Sequence, residues 1–211
     1  MVRSKEEVVH EYRIQSIQDA ALRVIARKGM SAATMAEIAE EAGVAKGTLY
    51  LYFRDRDELV EKTFETTIQE LSARVDAVFA QDLPFEQKLR GMIGAKIAFF
   101  RDNAEFFRLY LSLRMPEGTP QQQRRHKKHC HPEYQNRVRT VAAVLEAAMD
   151  AGEVRRADPY RLALFLIEGS TAIVLQRLLE NAPPPEEHDV DLIVETMLGG
   201  ISLREQKRSS E

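Results

Sequence analysis

Between Gly29 and Phe53 the chain carries two helix-patterned segments of only about two turns each, too short for either to stand alone. The first opens at Thr34, with Glu37 completing a capping-box pattern and Met35, Ile38, Ala39 and Ala42 falling on one side. Gly43 breaks it. The second runs from Lys46 to Tyr52, after which Phe53 is placed to pack back. Helices of this length do not offset the cost of nucleation, so a longer apolar partner has to hold both. Upstream, Ile14, Ile17, Ala21, Val24 and Ile25 recur at helical steps and mark a helix over 14–26. Gly29 ends that helix after Arg27 and Lys28, whose charges suit a C-terminal turn. Three helices around one small core are expected.

The remainder also reads helical. Asp55 and Glu58 repeat the cap pattern, and Leu59, Phe64, Ile68, Leu71, Val75 and Phe79 continue one stripe. A helix over 56–80 would extend about 37 Å, long enough to bridge two domains. The stretch 82–84 is a boundary, with Pro84 at the N-terminus of a helix over Phe85 to Phe100, and Asn103 caps a further helix before Pro116 and Gly118. The polar, basic stretch QQQRRHKKHCHP reads as an exposed connection. Helical patterning returns through Val138, Val141, Leu145 and Met149 and stops near Gly152. Asp158 caps a long apolar helix over Pro159 to Leu179, and three prolines at 183–185 precede a last helix through Val190, Ile193, Val194, Met197 and Leu198. No strand pair with a hairpin turn and no internal repeat are visible. The expected fold class is all-α with about nine helices: an N-terminal three-helix head over 1–56, joined by the long helix to a C-terminal helical bundle within 57–211.

Composition narrows the function classes. Lys and Arg number 30 against 33 Asp and Glu, a net charge of −3, and 44% of residues are hydrophobic, as in an ordinary folded soluble protein. Because nonspecific nucleic-acid binding depends mainly on neutralising phosphates, this slightly acidic balance argues against coating long nucleic acids, while leaving room for a small basic head. One cysteine, Cys130, excludes an intrachain disulfide framework. No apolar run reaches membrane-spanning length, and charge occupies the N-terminal stretch where a signal peptide needs its apolar segment, so a cytoplasmic protein without membrane contact is expected.

Two short helices joined at a glycine form a helix-turn-helix candidate, a geometry that seats its second helix in the DNA major groove. Lys46, Thr48, Tyr50 and Tyr52 offer charge, hydroxyls and aromatic edges; Gly47 permits close approach; Leu49 and Phe53 turn to the core. Leu51 has two uses open to it, contact with an apolar base surface or closure of the bundle. The plainer alternative for the whole segment is structural packing, since aromatics at helical spacing are commonly core.

The passage GMSAATMAEIAEEAGVAKGTLYLYFRDRDELV over 29–60, with AALRVIARKG before it, resembles the TetR family of transcriptional regulators. A glycine after helix one, a threonine opening helix two, Ile-Ala, Ala-Gly-Val at the turn and Gly-Thr-Leu-Tyr in the recognition helix all occur in the family's order. The resemblance implies sequence-specific binding to a double-stranded DNA operator. Carried over, Lys46 and Thr48 become base-edge or adjacent backbone readers, Tyr50 a phosphate or thymine-methyl contact, and Tyr52 and Arg56 phosphate donors, with exposed pairing to a carboxylate the alternative for Arg56. Thr34 positions the second helix against the backbone. Ala45 departs from the family's frequent serine or threonine and removes a cap from helix three.

The resemblance further implies a homodimer built from the last two long helices, for which Leu162, Phe165, Gly169 and Ile173 supply one stripe and Ile193, Met197 and Leu198 another; intrachain core is the alternative use. It also implies an effector-binding C-terminal region. Phe99, Phe100, Phe106, Phe107 and Tyr110 are ordinary core or the lining of a pocket for an apolar or aromatic effector, itself unidentified. Glu168 lies in the apolar stretch LALFLIEGSTAIVL, where it contacts a ligand, pairs with Arg161 or Arg177, or sits at a wet edge. His126, His129, Cys130 and His131 lie among Arg and Lys at a spacing that disfavours a metal site, so a solvated loop or anion contact is the simpler reading. No nucleophile elbow, Walker loop or dinucleotide fingerprint occurs, so neither catalysis nor a cofactor is expected. The combined expectation is a homodimeric repressor released from a palindromic operator by a small, largely apolar or aromatic effector. An activator or effector-independent regulator is one alternative, and a ligand- or protein-binding protein with a non-functional DNA head is another.

Overall fold

The structure, a computed structural model, describes residues 4–114, 120–179 and 187–201, and their side chains except those of 112–131, 177–179, 187 and 201. Among these residues every regular element is an α-helix: α1 (Lys5–Lys28), α2 (Met35–Glu41), α3 (Lys46–Tyr52), α4 (Arg56–Phe79), α5 (Phe85–Asp102), α6 (Ala104–Arg114), α7 (Pro120–Asp150), α8 (Pro159–Leu179) and α9 (Glu187–Ile201). The expected all-α fold with nine helices is therefore found.

Two differences from the sequence reading have physical causes. α1 begins at Lys5 rather than Ile14, started by a capping box in which Ser4 Oγ accepts from the Glu7 amide (3.1 Å) and Glu7 accepts from the Ser4 amide (2.7 Å). Residues 4–13 are exposed all round, so no apolar stripe announces the extension. The basic stretch read as a connection lies inside α7, which contains Pro132. The prolines at 183–185, and the side chains of His126, His129, Cys130 and His131, lie outside the described residues.

The chain forms two compact units. The first comprises residues 1–70 and 103–133; in it α1 packs on α2 and α6, and α2 packs on α3. Ile17, Ala21, Val24, Ile38, Leu49 and Leu59 are fully buried here. Phe64 lies 5.7 Å from Phe106 and stacks at 6.4 Å on Tyr110, which also stacks on Phe107. The second comprises residues 71–102 and 134–211, with α5 against both α8 and α9. Its buried residues include Leu89, Ile93, Leu145, Leu166 and Val194. Buried Lys96 of α5 donates to the Ile167 carbonyl and to the hydroxyls of Ser170 (2.8 Å) and Thr171 (2.6 Å), joining α5 to α8. An ammonium in such a place needs these oxygens to offset its lost hydration.

Candidate nucleic-acid interface

The link between α2 and α3 is a tight reversal set by hydrogen bonds. The Val44 amide donates to the Ala39 carbonyl (2.9 Å) and the Gly43 amide to that of Glu40 (3.0 Å), the paired bonds of a Schellman turn. Gly43 sits at φ 66°, the left-handed region this turn requires and a side chain disfavours. At the other end of α2, Thr34 Oγ1 accepts from the Glu37 amide (3.3 Å) while Glu37 accepts from the Thr34 amide (3.0 Å), as the sequence pattern predicts. Lys28 also donates to Glu37. That bond, followed by those from the Thr34 hydroxyl and amide, holds the Glu37 carboxyl at a pKa of about 2. Glu41 accepts from Arg23 (2.8 Å) and Arg27 (3.1 Å), which likewise keep its pKa below the ordinary carboxylate value. All three pairs fasten α2 to α1.

α3 starts without a side-chain cap at Ala45, as expected from its missing hydroxyl. Leu49 and Phe53 are buried and fix which side of this helix faces inward. Lys46 and Gly47 are exposed, Thr48 is half-buried, Tyr50 is 47% exposed and Leu51 is 83% exposed. Tyr52 is half-buried, its ring 5.1 Å from that of His10 in α1. A Cβ built on Gly47 would meet nothing within 4 Å, so the packing of the protein itself does not call for a glycine there.

Arg56 pairs with the Asp57 carboxylate (3.4 Å), the alternative open to it in the sequence, and has a further duty within the protein that the sequence did not announce. Its Nη1 donates to the carbonyls of Met30 (3.0 Å), Ser31 (3.3 Å) and Ala33 (3.3 Å), holding the loop before α2 against the start of α4. The helix itself is opened by Asp55, which accepts from the Glu58 amide (2.8 Å), while Glu58 accepts from the Arg54 amide (2.6 Å). Exposed Thr34 lies directly after the loop that Arg56 gathers.

Residues 17–63 match the family model described as bacterial regulatory proteins, TetR family, and this match spans all of α2 and α3 with the adjoining parts of α1 and α4. Its helix-turn-helix segment is of the TetR type. Over 88% of its length the chain is 23% identical to the uncharacterized HTH-type transcriptional regulator YhgD of Bacillus subtilis strain 168, covering 95% of that protein. It is 36% identical over 78 residues to an uncharacterized HTH-type transcriptional regulator of Haemophilus influenzae, spanning 42% of that relative. Its fold is similar to the transcriptional regulator FadR from Bacillus subtilis, solved in complex with stearoyl-CoA, with a TM-score of 0.76, 18% identity, and coverage of 89% of this chain and 98% of that one.

The C-terminal candidates fall into several environments. Phe99, Phe100, Phe106, Phe107 and Tyr110 are all buried; Phe106, Phe107 and Tyr110 cluster in the first unit, whereas Phe99 and Phe100 meet edge-on in the second. The guanidinium of Arg74 lies 5.0 Å from the centre of the Phe99 ring. Half-buried Glu168 accepts from the Tyr134 hydroxyl (2.6 Å), a partner not foreseen, while Arg161 pairs with Asp158 (3.3 Å). The side chain of Arg177 lies outside the described residues. Along α8, Phe165 is 61% exposed and Leu162, Gly169 and Ile173 are half-buried. On α9, Ile193 and Met197 are buried, Leu198 is half-buried and Leu192 is 56% exposed. Among the described residues no helix is long and apolar enough to cross a membrane.

Proposed function

We propose that this protein is a cytoplasmic, homodimeric repressor that reads a palindromic operator with residues 1–56 and senses a largely apolar effector with residues 57–211. The outward surface of α3 carries the proposal: Leu49 and Phe53 hold the helix by one side, leaving Lys46, Gly47 and Tyr50 in solvent and Thr48 beside them. In this reading Lys46 and Thr48 contact base edges or nearby backbone, Tyr50 and Tyr52 contact the DNA backbone, and Thr34 approaches a phosphate. Arg56 serves first by holding the loop that presents Thr34, and its positive charge favours a nearby phosphate. One short helix reads only a few base pairs, so two symmetric heads on half-sites about 34–36 Å apart supply the needed specificity.

The buried aromatic residues favour an effector with little polar surface. The stearoyl-CoA bound by the similar Bacillus subtilis FadR makes long-chain acyl thioesters the first class to try, the buried aromatic residues speaking only to the apolar acyl chain of such a ligand and not to its highly charged coenzyme A part. An effector releases the operator only by binding the DNA-incompetent arrangement more tightly, since equal affinity for both shifts nothing.

A duplex selected from a random library by the full chain supplies the test. We expect sequence-selective, salt-sensitive binding that weakens at least tenfold, about 1.4 kcal/mol, with saturating stearoyl-CoA. Failure to select any duplex removes the DNA function. Selective binding that stearoyl-CoA leaves unchanged removes this effector class. Transcription measured with and without the protein on that duplex separates repression from activation.

A further inference from the structure

Resting on the DNA-binding reading, we infer that Leu51 is a specificity-determining residue that recognises the C5-methyl group of a thymine in the major groove. Successive residues of an α-helix are about 100° apart, so Gly47 and Leu51 each lie about 200° from Leu49, nearly opposite it. Leu49 is fully buried. The centre of the presented face is therefore a bare glycine and a leucine, with Tyr50 and Thr48 to either side. At 83% exposure, Leu51 is the most exposed of the large hydrophobic side chains described, which excludes the bundle-closing use left open by the sequence.

An isobutyl group cannot exchange hydrogen bonds with a base edge. Set against the acceptors of guanine or the amino group of cytosine, it would strip water from them and return nothing. The thymine methyl is the apolar group that the base pairs present in the major groove, and apolar side chains favour it. Gly47 is one turn earlier on the same face, where long side chains of a helix lean. Its missing side chain leaves room for α3 to come close enough for a short residue to reach a base. The polar flanks fix the helix to the backbone, and Leu51 converts that placement into a preference for one base.

The test uses the duplex selected by the full chain, with each thymine of a half-site replaced singly by deoxyuridine, which removes only the methyl. We expect one position at which the wild-type protein loses about fourfold in affinity, the loss for one buried methyl. Leu51→Ala abolishes that loss and leaves methyl sensitivity elsewhere intact; Leu51→Met retains it. Circular dichroism and melting temperature check that the variants fold, as replacement of so exposed a side chain predicts. Methyl-insensitive binding by the wild type, or a deoxyuridine profile unchanged in Leu51→Ala, overturns the assignment of Leu51 while the DNA-binding function stands. If Leu51→Ala binds too weakly to profile, loss of the deoxyuridine penalty in Leu51→Met overturns it and retention supports it. Failure to select any duplex overturns both.

Discussion

Glu37 joins the end of α1 to the start of α2 by accepting from Lys28 and both donors of Thr34. Its carboxyl sits at about 2 when folded against an ordinary 4.5, so the unfolded chain binds the proton more readily. The stabilisation is complete above the ordinary value and disappears as pH falls from 4.5 toward 2. Thermal melts across that range should show the wild type losing its advantage over Glu37→Gln and the two converging at the acid end; a constant difference would exclude this linkage. The cap was legible because Thr34 and Glu37 are three residues apart in the chain. The Arg56 contacts were not, because the carbonyls they gather lie 23 to 26 residues away and a backbone acceptor has no sequence signature. Glu168 hid its partner for a similar reason: Tyr134 is 34 residues distant.

The α2–α3 element depends on a backbone conformation as much as on its core. Gly43→Ala should destabilise the protein by about 1–2 kcal/mol, the cost of placing a side chain in left-handed geometry, and should weaken operator binding by tilting α3. Gly43→Asn should lose less, because asparagine tolerates that region. Urea midpoints and duplex affinity check this, and equal stability for glycine and alanine would refute it. The limits of α3 were readable at both ends because Gly43 stops one helix and Phe53 leaves the next. The first turns of α1 escaped because exposed residues such as Val8 and Tyr12 belong to no core stripe, and the N-terminal part of α7 escaped because its polar composition matches that of a connection. Which α3 residue is most prominent became clear only from burial, which places Leu51 opposite Leu49.

For the whole molecule, the proposed pair of reading heads needs a stable pairing surface, and our candidates for it are the exposed or half-buried Leu162, Phe165, Gly169 and Ile173 of α8 with Leu198 of α9. Ile193 and Met197 are buried within the single chain and serve its core. Phe165→Glu adds a charge to a residue already 61% exposed, so the folded monomer should survive while dimer mass disappears and duplex affinity falls at least tenfold. Sedimentation reads the mass, and a persistent dimer would move the interface elsewhere. The helical periodicity of α8 and α9 was plain in the sequence, but pairing surface and core use the same apolar residues, so only exposure divides them. The Arg56 hydrogen bonds bear on how such a molecule transmits force. Because the guanidinium at the first residue of α4 holds the carbonyls of Met30, Ser31 and Ala33 in the loop leading into α2, a displacement of α4 is expected to carry that loop with it. Under the proposed function, these bonds would let the recognition helices turn together with α4, so that orientation rather than melting would change their grip on DNA.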